Sequence, residues 1–176
     1  LTATIAAPNK VYDGTITAAS TFTITGGLVG TETVTATGTA TFNSKDVLTA
    51  NLVTANSNLL ADGLNGGLAS NYSLVTGQTV AANITPKPAS VTASDVTLEY
   101  GDPLGAAGFT ATGLVAPDAI GSVTMTLPGM GSTPDVGVYP GATPSNAVFS
   151  AGLSSNYIIA YYGGILTVIP KEIVLY

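Results

Sequence analysis

Few side chains in this 176-residue chain can do chemistry. Ten carboxylates, four lysines (Lys10, Lys45, Lys87 and Lys171) and eight tyrosines are set among Thr, Ser, Asn, Gly and aliphatic residues, and His, Cys, Trp and Arg are absent. General acid/base catalysis near neutral pH most often uses His, and nucleophilic catalysis leans on Ser or Cys beside a base. Without His and Cys, most common catalytic constellations and nearly all structural zinc sites are excluded. Tyr12-Asp13-Gly14, in the stretch NKVYDGTITA, places a phenol, a carboxylate and a flexible residue in a row. It reads either as the corner of a ligand site or as an anchor residue before a tight turn.

The other chemical candidates fare worse. Asp95 and Glu99 share a strand face, but four residues of extended chain separate them by roughly 13 Å, against the about 5–9.5 Å of glycosidase pairs. Asp62 and Asn65, in ADGLNGGL, are hard oxygen donors suited to calcium. No D-x-D-x-D-G loop surrounds them, so an Asx/Gly turn is the competing reading. GMGSTP (Gly129 to Pro134) has a phosphate loop's glycines but is interrupted by Pro134 and Gly137 instead of opening a helix. Lys10 and Lys45 are candidates for amide crosslinks to a carboxylate or amide, with exposed lysine as the alternative.

The net charge is −6, which argues against nucleic acid and anionic lipid as partners. Charged residues make up 8%, far below the roughly 25% of ordinary soluble domains. Apolar content of 45% is nonetheless enough to bury a core, so disorder is not expected. The longest apolar run, Tyr157 to Ile169, falls short of the ~20 residues of a membrane helix, so direct membrane insertion is not expected. The chain starts without Met or a signal peptide and is expected to be a piece of a longer one.

A repeat of about 85 residues organises the rest. Gly67-Leu68-Ala69-Ser70-Asn71-Tyr72 matches Gly152-Leu153-Ser154-Ser155-Asn156-Tyr157, and Pro86-Lys87 matches Pro170-Lys171. TGGLVG (Thr25 to Gly30) pairs with TGLVAPD (Thr112 to Asp118), and Tyr12-Asp13-Gly14 falls near Tyr100-Gly101-Asp102. These matches divide the chain into modules at 1–86 and 87–170, with 171–176 as the first strand of a following repeat. Pro86 and Pro88 force extended conformations at the junction and predict a stiff one.

Both modules read as strands. In TETVTATGTATF, Thr occupies one parity from Thr31 to Thr41, with Val34, Ala36, Ala40 and Phe42 on the other, the alternation of a half-buried strand. Phe22 and Ile24 face inward in STFTITG, as do Val123, Met125 and Leu127 in SVTMTL. The run Tyr157 to Ile169 is apolar on both parities, which predicts a central strand covered on both faces. Short helices are expected at most at Ser44–Leu52 and Asp102–Phe109. A Thr line could order water as ice-binding surfaces do, but one twisted strand gives no plane.

NKVYDGT, TATGTATFNSKDV and GLASNYSLVT…ITPKP resemble, in that order, the YDG-type repeat. VTASDVTLEYGDP, TGLVAPD, DVGVYPGA and GLSSNYIIAYYGGILTVIPK resemble the MBG ("mostly β-grasp") repeat. Both occur in tandem in large bacterial surface adhesins and haemagglutinin-like proteins. The resemblance implies a mainly β chain of two tandem β-grasp-like modules with little or no helix. These would be non-enzymatic spacer or stalk repeats, secreted to the bacterial cell surface, with neighbouring repeats of the same chain as partners. It supplies no catalytic or cofactor residue, which leaves calcium at Asp62 and Asn65 as the one cofactor alternative. NLLADGLNGGLASNY is longer and richer in Gly and Asn than the family leads one to expect. The rival function is a glycan- or host-protein-binding module using Tyr139, Tyr161 and Tyr162; the lack of Trp and Arg counts against it. Tyr12 and Tyr100 are both expected to pack their rings on their own modules, with Asp13-Gly14 and Gly101-Asp102 forming the bends that follow.

Overall fold

The computed structural model describes residues 1–127, 129 and 133–174; part of the GMGSTP stretch therefore lies outside the described residues, as do Leu175 and Tyr176. The chain is mainly β, and among the described residues helix is limited to single turns at Ala69–Asn71 and Ser154–Asn156. It divides into two compact units, Leu1–Pro86 and Lys87–Tyr176.

Unit 1 contains β1 (Thr2–Ala6), β2 (Lys10–Val11), β3 (Thr17–Ala18), β4 (Thr21–Gly26), β5 (Val34–Phe42), β6 (Leu52–Asp62), β7 (Thr79–Ala81) and β8 (Ile84–Thr85). The long β5–β6 hairpin is the centre of a four-stranded sheet in the order β3-β5-β6-β7. Its Thr/apolar alternation is realised, with Val34, Ala40 and Phe42 buried. A bulge between Thr39 and Ala40 shifts its register. Beside it a side chain at Gly38 would come within 2.0 Å of the Ser57 carbonyl, so the close approach of the strands requires glycine. β1 pairs antiparallel with β4, and β2 pairs parallel with β8.

The expected helix at Ser44–Leu52 is instead the β5–β6 connection. It makes an isolated turn that is not continued into helix, with the Ala50 N–H donating to the Asp46 carbonyl. The Asn43 side-chain oxygen then accepts the N–H groups of Asn51 and Leu52 and pulls the chain into β6. Asn side chains compete with helix for backbone donors in this way.

Unit 2 contains β9 (Lys87–Ala93), β10 (Val96–Glu99), β11 (Phe109–Thr112), β12 (Ala119–Thr126), β13 (Gly137–Pro140), β14 (Thr143–Ala151), β15 (Tyr157–Tyr162) and β16 (Ile165–Ile169). Its sheets run β11-β9-β15, β10-β16-β13 and β12-β14. Asp102–Gly108 is extended loop, not helix. The apolar run from Tyr157 to Ile169 is two strands, parted at Gly163-Gly164. A Cβ on Gly164 would sit 2.6 Å from the Ser94 carbonyl, so the break lies where two backbones approach too closely for a side chain. β16 is central, but β9 takes that place in the other sheet and β15 lies at its edge. One parity of each strand stays exposed, the even-numbered one in β15 (Ile158 and Tyr162) and the odd-numbered one in β16 (Ile165 and Ile169). Apolar residues on both parities do not compel cover on both faces when the module is too thin to provide a second layer. Lys171–Val174 form no strand.

The cores are small and rich in Ala. Tyr12, 2% exposed, is the largest buried side chain of unit 1, alongside Val53 and Ile84; Val91, Leu166 and Tyr157 fill unit 2, where Phe149 stacks on Tyr157 with ring centroids 5.4 Å apart. Replacing Tyr12 by Ala should therefore destabilise unit 1 by about 3–5 kcal/mol. Chemical denaturation followed by the intrinsic fluorescence of the remaining tyrosines would measure it.

Candidate functional site: the repeated tyrosine turns

The repeated motifs converge on two structural sites in each unit. The first joins the Asn-Tyr motif to the Leu-Val turn. In unit 1 the Glu32 N–H donates to the Val29 carbonyl and closes a turn, and the Tyr72 hydroxyl sits against it. That hydroxyl donates to Glu32 Oε2 at 2.5 Å and accepts the Val29 N–H at 3.1 Å. Unit 2 repeats this atom for atom. The Asp118 N–H donates to the Val115 carbonyl; the Tyr157 hydroxyl donates to Asp118 Oδ2 at 2.6 Å and accepts the Val115 N–H at 3.0 Å. Each tyrosine follows a short helical turn in which the N–H of Asn71 or Asn156 donates to Leu68 or Leu153.

The glycine that opens each motif has a steric reason. A Cβ on Gly67 would lie 1.9 Å from the Thr33 carbonyl, next to Glu32. One on Gly152 would lie 2.4 Å from the Asp118 carboxylate, and Gly152 has φ +82°. Tyr157 and Asn156 are buried, Asn156 completely, whereas Asn71 is exposed and Tyr72 half-buried. Glu32 and Asp118 were not singled out from the sequence. Carrying the Leu-Val pairing two residues past Gly30, at its own offset, would have found them.

The second site contains Tyr12-Asp13-Gly14 and Tyr100-Gly101-Asp102. The Tyr12 N–H donates to the Thr85 carbonyl and the Tyr100 N–H to the Ile169 carbonyl, so both tyrosines bond to the residue before the repeated Pro-Lys. Beyond this the two diverge. Asp13 Oδ1 accepts the Thr15 N–H and hydroxyl, Gly14 takes φ +79°, and Tyr12 stands before the bend, where strand parity turns it inward. In unit 2 the Asp102 N–H donates to the Glu99 carbonyl, which places Tyr100 and Gly101 (φ +95°) at the two central positions of the turn. Tyr100 is consequently 45% exposed, contrary to the packing expected of it. Exchanging Asp and Gly moved the turn by one residue and swung the ring out.

Lys10 Nζ is held by four oxygens within 2.9 Å: Asp13 Oδ1, Thr15 O, Thr15 Oγ1 and Thr17 O. The Lys45 ammonium lies 6.0 Å from the centre of the Tyr12 ring, a cation–π contact. Asp62 Oδ1 accepts the Ala69 N–H, and Asn65, at φ +57°, donates its amide to the Thr31 carbonyl. These bonds fold the longer Gly/Asn loop back on the turn. Among the described residues no three His, Cys, Asp or Glu side chains gather as a metal site. Asp95 Oδ1 accepts the Ile165 N–H and so has a structural partner.

Tyr72 and Asp13 titrate away from their ordinary values. The hydrogen bond to Glu32 pushes the Tyr72 phenol above its ordinary 10.0, only partly offset by the Val29 N–H. Partial burial works to raise the Asp13 carboxyl, but bonds from Lys10 and Thr15 outweigh it and hold the group below its ordinary 3.8.

Comparison with protein families matches residues 1–81 to the YDG domain and residues 89–167 to the MBG domain of the YGX type. No curated protein and no solved structure matches the chain.

Tests follow from both geometries. Tyr157→Phe leaves Asp118 and the Val115 N–H without the phenol and should cost about 1–3 kcal/mol. Gly152→Ala should cost about 2 kcal/mol or more through positive φ and the carboxylate clash. Melting of each variant measures these losses. The Tyr72 contribution is whole below pH 10.0, the unfolded value, and is lost as pH rises through the higher folded value. Alkaline melting of unit 1 should accordingly be steeper in the parent than in Tyr72→Phe. Tyr12-Asp13-Gly14 lies within the first match and Tyr100-Gly101-Asp102 within the second: the chain is a YDG domain followed by an MBG domain of the YGX type.

Proposed function

We propose that the two domains are non-enzymatic extracellular spacer repeats of a bacterial surface adhesin, part of a semi-rigid stalk that presents a distal adhesive domain. Their partners in this reading are neighbouring repeats of the same chain. YDG and MBG domains are consistent with an adhesin-type repeat, and neither family is known for enzymes. One observation carries the reading. In each unit the second strand and the closing strand are parallel neighbours, β2 with β8 and β10 with β16, and in unit 2 the opening strand β9 is likewise parallel to β15. Parallel neighbours start at the same end of a module, so the chain enters at one end and leaves at the other. A series of modules needs this arrangement.

The rival binding function has less support. Tyr161 and Tyr162 are consecutive in a strand and point to opposite faces, so they cannot form one platform. The Tyr161 hydroxyl accepts the Ala147 N–H, and the Tyr139 hydroxyl donates to the Asp135 carbonyl within its own turn.

Small-angle scattering of the chain should give a narrow distribution of inter-unit angles; a wide one would defeat the semi-rigid stalk. A glycan array should show no specific hit, and a concentration-dependent hit abolished by Tyr162→Ala would establish the rival. Melting should be unchanged by calcium or by a chelator. A calcium-dependent rise abolished in Asp62→Asn would place an ion in the Asp62–Asn65 loop.

A further inference from the structure

The pairing of the MBG unit has a regularity that its sheet order conceals. β9 and β15 pair in parallel from Lys87 with Tyr157 to Thr92 with Tyr162, and β10 and β16 from Val96 with Leu166 to Glu99 with Ile169. Every pair is 70 residues apart, across both sheets. At the break between them the register holds, because the Ile165 N–H donates to Asp95 Oδ1 at that same separation. Beyond Glu99 the Tyr100 N–H donates to the Ile169 carbonyl. Lys87–Tyr100 and Tyr157–Ile169 are thus two arms of one parallel ladder, bent once where Gly164 meets the Ser94 carbonyl.

We propose that this ladder is a force-bearing shear clamp, and that bearing tension is a function of the MBG unit in its own right. The proposal rests on the reading of the chain as a stalk, in which load enters at Lys87 and leaves after Ile169. Tension draws the opening arm toward its N-terminus and the closing arm toward its C-terminus, along a shared axis. In a parallel pair the bonds are evenly spaced along that axis and share the load, so sliding must break them together. Pulling the same arms apart from one end would break them singly. The buried parity beneath the ladder, Ala89 and Val91 on one arm and Leu166 and Val168 on the other, keeps water from replacing the bonds one at a time.

Unit 1 lacks most of this clamp. Its parallel pairing is limited to Lys10 with Ile84 and Val11 with Thr85, because β1 pairs with β4 and β7 with β6. It should yield first under load, giving the stalk an extensible and a resistant element in alternation.

Single-molecule force spectroscopy on the whole chain tests this directly, since the absence of native Cys allows handles at chosen residues. Handles at Lys87→Cys and Lys171→Cys load the ladder in shear; handles at Lys87→Cys and Ser154→Cys load it from one end. The expected rupture force is several-fold higher in shear, and also higher than for Leu1→Cys with Lys87→Cys, which loads unit 1. Equal forces in the two geometries of unit 2 would overturn the clamp and leave the spacer reading intact. A specific glycan hit would overturn the spacer reading and leave the clamp. Hydrogen exchange of the unmodified chain gives a check independent of the handles. Ladder amides of β9 and β16 should exchange slowest in unit 2, and exchange as fast as in the Asp102–Gly108 loop would also overturn the proposal.

Discussion

Parallel strands cannot be joined by a hairpin, and that constraint shapes everything else in each unit. Once β10 must lie beside β16, and β2 beside β8, the chain between them has to cross from one end of the module back to the other. Most folds use a helix for such a crossover. Here antiparallel pairs do the work, the β5–β6 hairpin in the first unit and β12 with β14 in the second, where β13 intervenes in the chain and joins β16. Hairpins suit a chain this rich in Thr, Val and Gly, whose residues favour strand and turn over helix.

A crossover made of hairpins has no rigid body of its own and must be tied down. The tyrosine turn does this in both units. Its hydroxyl bonds to both ends of the Leu-Val turn, roughly forty residues away in the chain, and closes the loop on the residue that follows the helical turn. Burial makes the tie stronger in unit 2, where Tyr157 also stacks on Phe149. The carboxylate is Glu32 in one unit and Asp118 in the other, and both reach the hydroxyl at hydrogen-bond distance.

Much of this was legible in the residues. Alternation in TETVTATGTATF gave strand β5 and its inward side chains, and the repeated Gly-Leu-x-Ser-Asn-Tyr marked equivalent positions in the two units without revealing the turn that each tyrosine holds. Other features were out of reach for physical reasons. Whether the run from Tyr157 to Ile169 is one strand or two depends on a backbone contact between Gly164 and Ser94, which no local pattern records. The burial of Tyr12 and the exposure of Tyr100 follow from a one-residue shift of a turn, and the two motifs look interchangeable in sequence. Ser44 to Leu52 reads as a capped helix until the Asn43 side chain is seen to take the donors at its end.

The constant 70-residue separation along the MBG ladder also has a kinetic meaning. Contacts this distant in sequence carry a high contact order, and folding slows as loop closure must precede their reward. During vectorial synthesis, β9 and β10 emerge first and wait for the parallel partners that arrive last. The module therefore closes in a single late step, when β15 and β16 become available. Until then it presents an unpaired strand edge, and its low charge offers little repulsion against a neighbouring copy in the same condition.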